Sequence, residues 1–170
     1  MIVKKTILLL ICSTIISCSN FEFVYDFSDG LEKLHEETSL SIEGVDNDII
    51  NAYILSKLRT TNTDDALYLL TVKSSKHILA VVVEKDATAS KFNIEHEITY
   101  NLKNIEKNCI IVEDRIKTIA SYDSKSEGYS FGSDLSEKEV TINNIHSNIN
   151  EFFNILILSK NNFTCEYNEA

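Results

Sequence analysis

Apolar residues recur along this chain with two different periods, and the alternation between them lays out its elements. Ser39 to Val45 alternates as a short strand, after which Asp46 offers an N-cap. Ile49, Ile50, Tyr53, Ile54 and Leu58 then fall at helical spacing, which predicts an amphipathic helix over 47–59. A loop over 60–65 leads into Leu67 to Glu84, where aliphatic residues occupy both faces around the polar run Lys73-Ser-Ser-Lys76. That pattern reads as one long, bent strand or two short ones. Next, Phe92, Ile94, His96, Ile98, Tyr100 and Leu102 share one face of a third strand, with Asn93, Glu95, Glu97, Thr99 and Asn101 on the other. Residues 109–122 form a fourth, with Ile110, Val112, Ile116, Ala120 and Tyr122 in phase against Glu113, Arg115 and Lys117.

Ser124 to Asp134 has the composition of a loop. Ser136 and Glu139 then stand in the spacing of a capping box, with Leu135 and Val140 placed as a hydrophobic staple. Ile142, Ile145, Ile149, Phe152, Phe153 and Leu156 continue a helical stripe to about Ser159, while Asn148 and Asn150 fall off that stripe and are expected to tolerate substitution. Two one-sided helices bury their stripes economically on one face of a sheet. The expected fold is therefore α+β: a two-layer sandwich over 39–160, ordered β-α-β-β-β-α, with both helices on one face of a four-stranded, mostly antiparallel sheet.

The amino terminus has a different purpose. Lys4 and Lys5 precede an apolar run from Thr6 to Ile16, about a dozen residues long and so too short for a membrane-spanning helix, which needs roughly 20. It has the form of a signal peptide over residues 1–17. Ile15-Ile16-Ser17-Cys18 resembles the bacterial lipobox, which makes Cys18 the expected site of lipid attachment; Cys12, preceded by the bulky Ile11, does not fit. Two or three acyl chains would hold the mature protein durably on a bilayer, whereas one chain is marginal. Ser19, rather than Asp, follows Cys18, which favours delivery to the outer membrane, with the domain facing the periplasm. Residues 18–38 then form an acylated tether, 39–160 the domain and 161–170 a tail.

Composition narrows the function further. The 170 residues are 44% hydrophobic and 25% charged, which suits a single globular domain. With 16 Lys+Arg against 26 Asp+Glu the formal net charge is −10, and removal of Lys4 and Lys5 makes the mature chain more acidic still, which argues against a nucleic-acid partner. Cys109 and Cys165 survive processing in a compartment that permits disulfides, so they either pair or stand as two separate thiols. The four histidines, at 35, 77, 96 and 146, lack metal-ligand spacing; His96 reads as a satisfied core or edge residue. No nucleophile elbow, HExxH or paired catalytic carboxylate is present, and neither enzymatic activity nor a cofactor is expected.

Several features taken in order resemble the LptE family of lipopolysaccharide-assembly lipoproteins. They are the acylated Cys18 followed by the aromatic segment Phe21-Glu-Phe-Val-Tyr25, a strand-turn-strand from Asp86 to Lys91 continuing through Ile98-Thr-Tyr-Asn-Leu102, and Tyr129-Ser-Phe131 before the long last helix. Ser19 stands where that family usually has Gly, and Lys91 where a relative often has Arg. The resemblance implies a non-enzymatic plug seated inside an outer-membrane β-barrel of LptD type, in contact with lipopolysaccharide as the barrel delivers it. A polar barrel interior calls for a polar plug surface, which the Asn93 to Asn101 face would supply. Lys85 and Lys91, at one end of the sheet, are the cations placed to meet lipopolysaccharide phosphates. The alternative is a free-standing periplasmic lipoprotein that binds a small amphiphile between sheet and helices, which requires an enclosed apolar pocket.

Overall fold

The computed structural model describes residues 31, 34, 35, 37–59, 66–85, 89–124, 130–158 and 165. Six elements follow one another: β1 (Thr38–Gly44), α1 (Asn47–Leu58), β2 (Tyr68–Val83), β3 (Ala89–Asn104), β4 (Cys109–Asp123) and α2 (Ser130–Leu158). The sheet order is β1-β2-β3-β4. β1 runs parallel to β2, with Thr38 opposite Tyr68 and Gly44 opposite Ser74, and the other two pairings are antiparallel. A parallel pair needs a crossover, and α1 provides it. The expected α+β sandwich is the observed architecture.

Local chemistry explains the turn into α1. Gly44 has φ +111°, and a Cβ there would fall on the Ser74 carbonyl oxygen, so no other residue fits without displacing β1 from β2. Asp46 follows in the left-handed region at the N-cap position, yet its side chain makes no capping bond. The sequence-based N-cap is thus right in place and wrong in chemistry: the carboxylate is taken by His96, whose Nε2 lies 3.1 Å away. Ile50, Ile54 and Leu58, one turn apart, form the buried stripe of α1, and Arg59 closes the helix through its N–H to the Leu55 carbonyl.

The core lies between the sheet and the two helices. Ile94, Ile98, Tyr100 and Leu102 of β3 are essentially inaccessible, as are Ile145, Ile149, Phe152 and Phe153 of α2. Tyr100 stacks on Phe152 with ring centroids 4.0 Å apart. Leu31 and Leu34, from the segment 18–38, also belong to this core. The layer in which the amphiphile reading would seat its ligand is filled by these side chains.

Three expectations need correction. α2 begins at Ser130, so Ser136 lies inside the helix and the Ser136–Glu139 capping box is not its start. Tertiary ties organise this stretch instead, because Glu137 is held by Lys76 Nζ at 3.3 Å and by the Tyr122 hydroxyl at 3.2 Å. Ile110 is 55% exposed rather than in phase with Val112 and Ile116. The pairing of β3 with β4 skips Ile111, a bulge that flips the side-chain phase at the start of β4 and packs Ile111 against the core in its place. Asn148, expected to be indifferent, is fully buried.

Candidate functional site

The sheet face turned away from the helices carries a polar row along β3. Asn93, Glu95, Glu97, Thr99 and Asn101 lie along it on β3, each half-buried among strand neighbours. Period-two alternation puts them there, since their partners at 94, 96, 98, 100 and 102 all point into the core or close against it. Diagonal neighbours on β4 neutralise the acids: Lys117 Nζ lies 2.6 Å from Glu95 and Arg115 lies 3.5 Å from Glu97. Lys73 and Glu43, directly opposite each other on β2 and β1, form a further ion pair, and Ser121 donates to Asn93. A face of locally paired charges has little net field, which suits contact with another polar protein surface better than capture of a charged ligand.

Lys85 and Lys91 lie at one end of the sheet, at the tip of the β2–β3 hairpin. Lys91 is paired in register between Val82 of β2 and Asp123 of β4. Ser90 donates to Glu84 at 2.8 Å, and its carbonyl receives the N–H of Ser124. The two expected cations are therefore brought to the same tip, with Glu84 and Asp123 as acidic company.

Beneath α2 runs a buried polar seam that periodicity did not reveal. Asn148 accepts a hydrogen bond from the Tyr100 hydroxyl at 2.8 Å and donates to the Ile116 carbonyl at 2.9 Å and to Thr118 Oγ1. One turn earlier, the Asn144 amide donates to the Ile94 carbonyl and meets His96 Nδ1 at 3.2 Å, while His96 Nε2 faces Asp46. That arrangement selects the neutral ring with its proton on Nε2. Burial holds the Tyr100 hydroxyl far above its ordinary range, with Glu151 adding to the effect. Tyr122 is pushed up to about 12 by burial and by the neighbouring Glu137 and Asp134. The only sequence signal for the seam was the spacing of Thr141, Asn144 and Asn148 on the α2 face next to the apolar stripe.

His96 makes this seam pH-sensitive. Burial lowers its pKa, Asp46 from the β1–α1 turn opposes that shift and Lys76 from β2 reinforces it; Asn144 of α2 presents a donor to Nδ1, where the second proton would go. The folded protein consequently binds fewer protons at this ring than the unfolded chain. Stability is fully present above the unfolded histidine value of about 6.5 and falls as the pH drops below it toward the folded value. His146, stacked on Tyr53 and also shifted down by burial, acts in the same direction. Urea midpoints measured near pH 8 and near pH 5 should differ more in the wild type than in His96→Gln; equal differences would place the acid sensitivity elsewhere.

Cys109 and Cys165 form a disulfide, with Cα atoms 6.2 Å apart, which ties the C-terminal tail to the start of β4. Cys18 and the aromatic segment 21–25 lie outside the described residues.

No protein-family model matches the chain, and no curated protein matches it. Solved structures do. A candidate lipoprotein from Caulobacter crescentus CB15 superposes with TM-score 0.58 at 16% identity, covering 78% of this chain and 93% of its own. A minor lipoprotein from Acinetobacter baumannii gives TM-score 0.56 at 14% identity, covering 75% and 95%. At such identities the likeness establishes architecture: this chain has a fold found in solved structures of bacterial lipoproteins.

Proposed function

We propose that this protein is an outer-membrane lipoprotein that plugs a β-barrel translocon and assists in placing lipopolysaccharide at the cell surface. The observation that carries the reading is the ion-paired polar face of the sheet, on a domain whose fold recurs among lipoproteins. Paired charges can enter a polar barrel lumen without leaving an isolated charge desolvated, which would be costly. The lipobox at Cys18 supplies the anchor, and a disulfide between Cys109 and Cys165 suits an oxidising compartment. Affinity purification of the acylated protein from its own membranes in mild detergent tests the role: a large β-barrel should be recovered in stoichiometric amount. Recovery of the lipoprotein alone would overturn the plug.

Cys18→Ala is expected to leave an unprocessed precursor in the inner membrane, because neither acylation nor the cleavage that follows it can occur. A mature N-terminus that begins elsewhere and lacks acyl mass, seen by mass spectrometry of the wild type, would remove the lipoprotein assignment.

Lys85 and Lys91 are assigned to the phosphates of lipopolysaccharide. Each would act as a salt-sensitive point charge. The pair Lys85→Glu and Lys91→Glu should weaken lipopolysaccharide binding in titrations at low salt, with stability changed by only a few tenths of a kcal/mol, as at most surface sites. Capture of the barrel should persist. Identical affinities for the two proteins would reduce these lysines to the solvated end of a hairpin.

A further inference from the structure

α2 is held to the sheet in two different ways along its length. From Ile145 to Leu156 its buried side chains are apolar and belong to the continuous core, Asn148 excepted. From Asp134 to Asn144 no hydrophobic side chain of the helix joins that core, Leu135 is 57% exposed, and the ties to the sheet run through Glu137, Thr141 and Asn144. Lys76 Nζ lies 3.3 Å from Glu137 and from Thr141 Oγ1, and the Tyr122 hydroxyl donates to Glu137. Asn144 donates to the Ile94 carbonyl at 3.1 Å and to the Thr118 carbonyl at 3.4 Å. Beneath this stretch Ile94 and Tyr122 are buried but stand outside the continuous core. Ile94 pairs in register with Ile78 and Ala120, and Phe92 with Ala80 and Tyr122, so these six residues share one face of the sheet. That face runs on into the aliphatic end of β2, which is exposed from His77 onward.

We propose that residues 134–144 of α2 are an acid-released flap over this apolar face, with His96 as the trigger. Three elements converge on the His96 ring. Nε2 faces Asp46 of the β1–α1 turn at 3.1 Å, Nδ1 faces the Asn144 amide of α2 at 3.2 Å, and Lys76 of β2 brings a positive charge close by. Glu137 of α2 is the acid paired with that lysine, and β4 contributes the uncharged Thr118. Because the Asn144 amide nitrogen already serves two carbonyl oxygens, it meets Nδ1 only as a donor. A proton taken up at Nδ1 sets two donors against each other, and turning the amide over would set its oxygen against both carbonyls. Protonation therefore parts Asn144 from β3. Burial and Lys76 disfavour that proton in the closed state although Asp46 favours it, and opening returns the ring to water, so acid drives opening. Freed of the sheet, the flap has little to keep it helical: Val140, Thr141, Ile142, Asn143 and Asn144 are weak helix formers, and most helical stability comes from packing. It unwinds while Ile145 to Leu156 stay seated. The inference concerns the domain alone and holds with or without a barrel.

Hydrogen exchange of the mature protein, extracted from membranes in nonionic detergent, separates the two parts of α2 when it is read by peptide mass spectrometry and corrected for the intrinsic pH dependence of amide exchange. Protection over 134–143 should be nearly constant between about pH 8 and pH 7. Below about pH 6.5 it should fall by as much as roughly tenfold per pH unit, the limit for one coupled proton, while protection over 149–156 holds. In His96→Gln the slope over 134–143 should vanish. Glu137→Gln should lower protection there at every pH and keep the slope, which distinguishes the trigger from the clasp. In the wild type, the His96 ring followed by NMR should take up its proton over the same pH range in which protection is lost. Loss of protection in both parts of α2 together would mean acid unfolding of the whole domain and would overturn the flap, as would unchanged protection over 134–143 down to about pH 5. A slope that persists in His96→Gln, or a His96 ring that stays neutral while protection falls, would overturn the trigger.

Discussion

Replacing Phe152 by Ala should destabilise the domain by about 3–5 kcal/mol, the range for removing an aromatic ring from a packed core. Phe152 is fully inaccessible, lies nearly parallel to Tyr100 at a 4.0 Å centroid distance and touches Phe153 at 5.7 Å, so its loss opens a cavity at the junction of α2 with β3. Neighbouring side chains are themselves held by the sheet and can collapse into that space only in part. Leu158→Ala is the matched control, because Leu158 is 71% exposed near the end of the same helix and its truncation should cost no more than about 0.5 kcal/mol. Thermal or urea unfolding decides between them, and equal losses at 152 and 158 would mean that α2 presents a different face to the sheet.

Asn148→Leu should cost about as much as a core truncation, although it adds apolar character to a buried position. Three partners depend on this one amide: the Tyr100 hydroxyl, the Ile116 carbonyl and Thr118 Oγ1. Each buried polar group left without a partner costs roughly 1–3 kcal/mol, so a loss of about 3 kcal/mol or more is expected. The double variant Asn148→Leu with Tyr100→Phe removes both ends of one hydrogen bond and should recover part of that loss, because an absent hydroxyl needs no partner. Strict additivity of the two single changes, measured in a double-mutant cycle, would show that the Tyr100–Asn148 contact contributes nothing. Asn150→Ala, by contrast, loses the bond that its Oδ1 accepts from the Tyr53 hydroxyl, a part-buried contact at the rim of the helix pair, and should cost about 1 kcal/mol.

The contrast between Asn148 and its flanking isoleucines shows where reading hydrophobicity along the chain stops being informative. Periodicity assigns the face of a residue from whether its side chain prefers water, and Asn gives the same signal at the surface and in a satisfied network. Only the proximity of Tyr100 on β3 and Thr118 on β4, far away in sequence, provides the partners that let an amide be buried. Asp46 follows the same rule. Its type and place before α1 announce a cap, but His96 competes for the carboxylate and takes it.

The amino-acid sequence alone determined the six elements, their order, the one-sided burial of β3 and the apolar stripes of both helices, because each rests on a local period that survives folding unchanged. It also carried the lipobox at Cys18 and the two cysteines available for pairing. Tertiary structure decided the rest. The parallel pairing of β1 with β2 and the closure of Cys109 onto Cys165 depend on which segments meet in space. The true start of α2 was hidden because Glu137 is secured by Lys76 and Tyr122 rather than by residues beside it in the chain. The bulge that turns Ile110 outward comes from a register mismatch between two strands, and neither strand encodes that mismatch alone. The exposed aliphatic strip of β2 is the sharpest case: on sequence it reads as strand with aliphatic residues on both faces, and what exposes it is the absence of cover from the described elements of the fold.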